Sequence, residues 1–191
     1  MTVKLQARDR ELMSALSSQV NVLSFEQVAR GWWGRTEDPK GTVSRRLRTL
    51  ARDSHVHVFE VVTGPEVEFT SPLVEWAPGE APKNTGALTE AVERRSRAAT
   101  GMRRLVATSR AKAALLAEGP PELATHELNL SALYLHLRPE LDGWKVVSGS
   151  ADPKFSAAID ASGRRFEVAS RPLLGKLDAL ARACRAGGSV W

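Results

Sequence analysis

The chain has 191 residues, 42% of them apolar, and carries a net charge of +5 with a pI of about 9.8. That is enough for one large domain or two small ones with a buried core, and the basic balance favours an anionic partner, nucleic acid first. A single cysteine, Cys184, excludes an intrachain disulfide, no apolar run approaches the roughly 20 residues of a membrane span, and the N-terminus lacks the apolar stretch of a signal peptide; the expectation is a soluble cytoplasmic protein with no membrane partner.

The basic residues are clustered. Arg35, Lys40, Arg45, Arg46, Arg48 and Arg52 form one block, and Arg94, Arg95, Arg97, Arg103, Arg104, Arg110 and Lys112 form a second. An acidic tract with Glu60, Glu66, Glu68, Glu75 and Glu80 separates them.

In chain order, Asp9 to Gln19 reads as a first helix with Leu12 and Leu16 on one face. Ser24 and Gln27 make a capping-box pattern for a second helix, whose apolar stripe is Phe25, Val28, Ala29 and Trp32. Arg35 to Gly41 is rich in turn residues. Thr42 then suits the cap of a basic helix running to Asp53. Within it, Val43, Leu47 and Leu50 recur at helical spacing, and Arg45, Arg48, Thr49 and Arg52 fall on the opposite side. His55 to Val62 alternates and is β-branched, as a strand does. Thr63 to Glu66 reads as a turn and Val67 to Phe69 as the start of a return strand. His55 and His57 share a strand face, but no Cys or further His lies nearby, so they read as exposed strand residues rather than a metal site.

Pro72 to Gly86 is rich in Pro and Gly and reads as a connector. Ala87 to Ala98 predicts a short basic helix, Leu105 to Ala107 a short strand, Ser109 to Ala117 a helix, and Glu122 to Leu137 a longer one. His126 and His136 on that helix read as satisfied structural histidines. Strands are expected at Trp144 to Ser148, Phe155 to Ile159 and Arg165 to Ala169, with a turn at Asp160 to Gly163. An amphipathic helix from Pro172 to Cys184, ended by Gly187 and Gly188, follows.

The first half thus has the order of a winged helix–turn–helix: helix, turn, basic helix, hairpin. The second half, helix then three-stranded meander then helix, has the skeleton of restriction-endonuclease-like nucleases. Those enzymes hold Mg²⁺ on convergent carboxylates, with a lysine beside the attacking water. Here the third strand offers Glu167-Val168-Ala169, with alanine where the lysine belongs, and Ser156 stands in the acidic place of the second strand. Asp152 lies just before that strand, and Lys154 and Lys176 are stand-in cations. The expected fold class is α+β, in three parts: residues 1–76 as the winged helix–turn–helix, 77–104 as a linker with a basic helix, and 105–191 as a degenerate nuclease-like domain.

Along nearly its full length the chain resembles the replication-relaxation family of plasmid and mobile-element proteins. The segments that carry the resemblance are Pro72-Leu73-Val74-Glu75-Trp76 with Pro78-Gly79, Leu105-Val106-Ala107-Thr108, Ala124-Thr125-His126-Glu127-Leu128 through Ala132-Leu133-Tyr134-Leu135-His136-Leu137-Arg138, and the ending Phe166-Glu167-Val168, Cys184 and Trp191. The resemblance implies an N-terminal winged helix, a C-terminal nuclease-like domain, and a role in plasmid replication, relaxation, mobilisation or regulation. Where the family carries Pro-Asp-Ala, this sequence has Phe155-Ser156-Ala157, and it lacks the family's Gly and Tyr after the Glu-bearing strand.

The functional expectation is a sequence-specific double-stranded DNA-binding protein. Arg45, Arg48, Thr49 and Arg52 would approach base edges, while Lys40, Thr42, Ser44 and Arg46 would hold phosphates. It is not expected to be an enzyme, and no catalytic residue, metal, cofactor or small-molecule substrate is assigned. Homodimerisation would suit a reader of two half-sites. The alternatives are a metal-dependent nuclease or nickase using Glu167 and Asp152, and a winged-helix adaptor that binds protein.

Overall fold

The computed structural model describes residues 3–67, 69, 74–76, 90, 94, 99–139, 145–147, 157–159, 165–167 and 188–190. It is a mixed α and β protein, with five helices among the described residues. The backbone divides into two compact units, each discontinuous in sequence. One comprises Met1–Glu66 and Thr100–Leu135, the other Val67–Ala99 and His136–Trp191. These limits differ from the divisions at 76 and 104 expected from composition, because the chain leaves the first unit and returns to it.

The first unit starts with α1 (Ala7–Ser18), whose Leu12, Ala15 and Leu16 are buried. The Asp9 carboxylate accepts the Gln6 amide at 2.6 Å, which satisfies a donor at the start of the helix. A two-residue strand, β1 (Leu23–Ser24), leads into α2 (Phe25–Trp33). The expected capping box is present: the Gln27 amide donates to Ser24 Oγ, and the Ser24 amide donates to Gln27 Oε1. The buried Gln27 side chain also donates to the Leu128 carbonyl at 2.9 Å, so the cap is tied to a helix a hundred residues later.

The basic helix, α3, spans Pro39–Arg52 and is longer than expected at its start. Its cap is Asp38, not Thr42. The Asp38 carboxylate accepts the Gly41 amide at 2.9 Å, and Pro39 takes the first helical position, where a missing N–H costs nothing. Val43, Leu47 and Leu50 are fully buried, as the helical spacing requires. Ser54 closes the C-terminal end in a left-handed conformation, with φ 61°.

The strand that follows, β2 (His57–Thr63), is not continued by a return strand at Val67 or Phe69, neither of which is in a strand. In chain order the next strand, β3 (Val74–Trp76), belongs to the other unit. The antiparallel partner of β2 is β4 (Gly101–Ala107), in register from His57↔Ala107 to Thr63↔Gly101. The other edge of β4 takes β1, with Leu23 opposite Val106, so the sheet order is β1-β4-β2. The physical reason lies in composition. Leu105, Val106 and Ala107 are all buried, and a run apolar on both faces suits a central strand. Pro65 lacks the N–H that a ladder needs.

Two further helices follow, α4 (Arg110–Glu118) and α5 (Pro121–Leu137), the latter within the unit as far as Leu135. Val22, Val61, Leu105, Leu116, Ala124 and Leu128 form one buried cluster, with Phe59 and Leu123 packed against it. This cluster joins both sides of the sheet insertion into a single core.

In the second unit the expected meander is present as β5 (Lys145–Val147), β6 (Ala157–Ile159) and β7 (Arg165–Glu167), all antiparallel. The sheet is larger than three strands. β8 (Gly188–Val190) lies parallel to β7, β3 pairs antiparallel with β8, and the order is β3-β8-β7-β6-β5. The stretch expected as connector therefore contains a sheet strand, and Gly188 opens a strand rather than only ending a helix. Glu90 and Arg94 are helical; the rest of the helix expected at Ala87 to Ala98, and the one at Pro172 to Cys184, lie outside the described residues.

Candidate nucleic-acid interface

The candidate site is the outer face of α3. At roughly 100° per residue, Arg45, Arg48, Thr49 and Arg52 fall within an arc of about 100°, opposite Val43, Leu47 and Leu50. Burial of that apolar ridge fixes the rotation of the helix about its axis and leaves the arginine arc outward. Arg45, Arg48 and Arg52 are exposed, and Thr49 is half-buried.

The residues on this face differ in what they already hold. The Arg45 guanidinium has no hydrogen-bond or ion-pair partner among the described residues. An Arg48 terminal nitrogen donates to Ser44 Oγ at 3.1 Å, one turn earlier. The Thr49 hydroxyl donates to the Arg45 carbonyl at 3.0 Å. Arg52 Nε lies 3.4 Å from the Asp53 carboxylate, and that carboxyl sits below its usual range because it accepts the Val3 amide, with the Arg52 guanidinium adding to the effect. Lys40 is exposed at the start of the helix, with Glu26 at 3.9 Å, a spacing that leaves its charge largely available. Thr42 and Ser44 are half-buried on its flanks.

Arg46 does something else. Its Nε donates to Asp9 Oδ1 at 3.0 Å, and a terminal nitrogen bonds Asp9 Oδ2 and donates to the Lys4 carbonyl at 2.9 Å. The Arg46 side chain is 18% exposed and that of Asp9 not at all. The assignment of Arg46 as a phosphate holder is therefore corrected: its guanidinium is spent on α1. Helix geometry gives the reason. Arg46 projects roughly 40° from Leu50 and 60° from Val43, at the margin of the buried ridge rather than opposite it. Asp9 was the missed residue, and its signal was an acid on the first helix otherwise buried at the Leu12 and Leu16 face.

Glu60 and Glu66 are engaged within the unit. Glu66 accepts the Ser24 hydroxyl at 2.8 Å and lies 3.3 Å from Arg30. Glu60 faces Arg104 across the β2–β4 pair at 3.4 Å. Arg104 also lies over the Phe25 ring, 5.8 Å from its centroid. The strand partner that the sequence did not identify thus brings Arg103 and Arg104 into a hairpin that had read as acidic.

Of the residues weighed for metal chemistry, Glu167 lies on β7 opposite Ala157, while Asp152, Lys154, Ser156, Ala169 and Lys176 lie outside the described residues. His126 departs from its expected role as a satisfied histidine. It is buried, neither ring nitrogen has a hydrogen-bond partner among the described residues, and burial lowers its pKa to about 4. Among the described residues, no helix is long and apolar enough to cross a membrane.

Comparison with protein-family models, with curated proteins and with solved structures finds no match to this chain.

Proposed function

We propose that the first unit is a winged helix–turn–helix that binds double-stranded DNA in a sequence-specific way, with α3 as the helix that enters the major groove. One observation carries this reading. The arc holding Arg45 and Arg48 is exposed, and neither guanidinium pairs with a carboxylate among the described residues. An uncompensated guanidinium pair on a helix held by a buried ridge is the arrangement a major groove accepts. The order of elements supports it: a short strand, two helices, then an antiparallel pair that returns to the first strand. In this reading β2 and β4 are the two strands of the wing, and the first segment of the second unit, Val67–Ala99, lies between them in the chain. Lys40, Thr42 and Ser44 are left to hold phosphates.

The second unit, in this proposal, is a degenerate nuclease-like body that supports or pairs the DNA-binding module without cutting. Glu167-Val168-Ala169 has no lysine to activate water. We propose that the protein acts in a plasmid or other mobile element, in the cytoplasm, as regulator or as part of replication or mobilisation, a reading supported by the resemblance to replication-relaxation proteins. A homodimer would present two such helices to two half-sites.

The test uses the full chain and a randomised duplex library, with bound duplex read by gel shift. Retention at low salt should fall steeply as salt rises. Replacing Arg45 and Arg48 together by Ala should abolish specific retention. Unchanged binding by that variant refutes the assignment, and failure to retain any duplex at low salt points instead to a protein partner.

A further inference from the structure

The four residues of the outward arc have different chemistry left to offer. Among the described residues nothing pairs with the Arg45 guanidinium, whereas Arg48 is drawn toward Ser44 and Arg52 toward Asp53. Thr49 has already used its hydroxyl on the Arg45 carbonyl. What remains at position 49, besides the acceptor lone pairs of that hydroxyl, is a methyl group one helical turn from the Arg45 guanidinium.

In the major groove these two groups match different base edges. Two parallel N–H donors fit guanine O6 and N7, and a side-chain methyl fits the C5 methyl of thymine. One helical turn rises about 5.4 Å, which spans between one and two base steps of roughly 3.4 Å. We infer that α3 reads a guanine with Arg45 and, one or two base pairs away, a thymine methyl with Thr49. This rests on the DNA-binding reading above and adds to it the class of site: a B-form duplex with a guanine next to or one pair removed from a thymine. Arg48 and Arg52 then serve the phosphates on either side.

The experiment selects duplexes from a randomised library with the full-length protein and then substitutes single bases in the selected duplex. Replacing the thymine by deoxyuridine removes only the methyl and should weaken wild-type binding about fourfold, the worth of one buried methyl. Replacing the guanine by 7-deazaguanine removes one of two acceptors and should weaken it roughly tenfold. Thr49→Ser keeps the hydroxyl bond and should bind the thymine and uracil duplexes equally. Thr49→Val keeps a methyl and should still prefer thymine. Arg45→Ala should no longer distinguish guanine from 7-deazaguanine.

Selected duplexes with no guanine–thymine spacing in common overturn this inference and leave DNA binding standing. So does a Thr49→Ser protein that still prefers thymine, or a wild-type protein indifferent to both base analogues. Failure to retain any duplex overturns the DNA reading itself. All three variants sit on the outward arc, and the analogue measurements on wild-type protein need no variant.

Discussion

Asp9 and Arg46 lie 37 residues apart and form a two-pronged ion pair between α1 and α3, with Nε to Oδ1 at 3.0 Å. Burial alone pushes the Asp9 carboxyl up, but the Arg46 hydrogen bonds, the Gln6 amide and the charges of Arg46 and Arg8 outweigh it and hold the carboxyl below its ordinary range. The same pair raises Arg46. The basic helix is therefore fixed twice, by its apolar ridge and by an arginine from its own basic block.

Neighbouring arginines should behave oppositely. Arg46→Ala leaves a buried carboxylate without its cation and should cost about 3 kcal/mol of stability. Arg45→Ala should change stability by no more than about 0.5 kcal/mol while removing specific duplex binding. Urea melts and gel shifts on the two variants check this. Equal stability of both variants would show that the Asp9 pair contributes nothing. The depressed Asp9 carboxyl also fixes a sign: its contribution is present above the unfolded value of 3.8 and lost as pH falls through the lower folded value. The Arg46→Ala protein should lose that part of its acid sensitivity.

What the sequence revealed was local. The Ser24-Gln27 box and the Val43-Leu47-Leu50 spacing each sit within one or two turns, where periodicity and capping act. The start of α3 was readable too, since Asp38-Pro39 is a cap followed by a first-turn proline, but Thr42 offered a competing cap. The partner of β2 was not readable in the same way. Thr63 and Gly101 meet only because the chain departs and returns, and no short-range pattern encodes a pairing at that separation. Misplacing that strand also gave the hairpin the wrong charge, since Arg103 and Arg104 ride on it. The inward turn of Arg46 was half legible: its angle was available, but its partner Asp9 was not.

The sheet order makes a second prediction. β4 is the middle strand of β1-β4-β2, and Leu105 in it is fully buried. A fragment of residues 1–76 holds α1, α2 and α3 but neither β4 nor α5, so β2 loses the ladder it makes with β4. It should show no cooperative thermal unfolding. Residues 1–66 joined by a short Gly-Ser linker to residues 100–137 should unfold cooperatively, because the linker need only bridge the close ends at Thr63 and Gly101. A cooperative transition in the 1–76 fragment would contradict the role given to β4.

Asp38 supports a third. It caps α3 through the Gly41 amide at 2.9 Å, and it is the acid nearest in sequence to the start of the basic face. Asp38→Ala should cost about 1 kcal/mol, whereas Asp38→Ser, which retains a capping oxygen, should cost much less. Both remove a negative charge beside the proposed interface, so both should bind duplex more tightly at low salt. Denaturant midpoints separate the first effect from the second. Weaker duplex binding by a fully folded Asp38→Ser protein would argue against the assigned face.

The last prediction concerns acid. His126 is 4% exposed, and burial lowers its pKa from 6.5 to about 4. Above pH 6.5 it is neutral in both folded and unfolded chains and stability is unaffected. Between 6.5 and 4 the unfolded chain takes up a proton that the folded chain refuses, so stability falls with pH over that window, by about 3 kcal/mol at its foot. Glu127, the next residue, acts in the other direction. Burial raises its carboxyl despite the Asn21 hydrogen bond at 2.9 Å and the charge of Lys112, so its contribution is full below the unfolded value of 4.5 and declines as pH rises through the higher folded value. The two slopes are separable by substitution. His126→Leu should match or exceed wild-type stability at pH 7, because it removes two buried nitrogens without partners among the described residues. It should also lose the decline between pH 6.5 and 4.5, leaving the opposite slope of Glu127. Glu127→Gln should make the wild-type decline steeper. Urea unfolding at pH 7, 5.5 and 4.5 distinguishes these outcomes, and a His126→Leu protein with an unchanged acid profile would mean that the proton is taken up elsewhere.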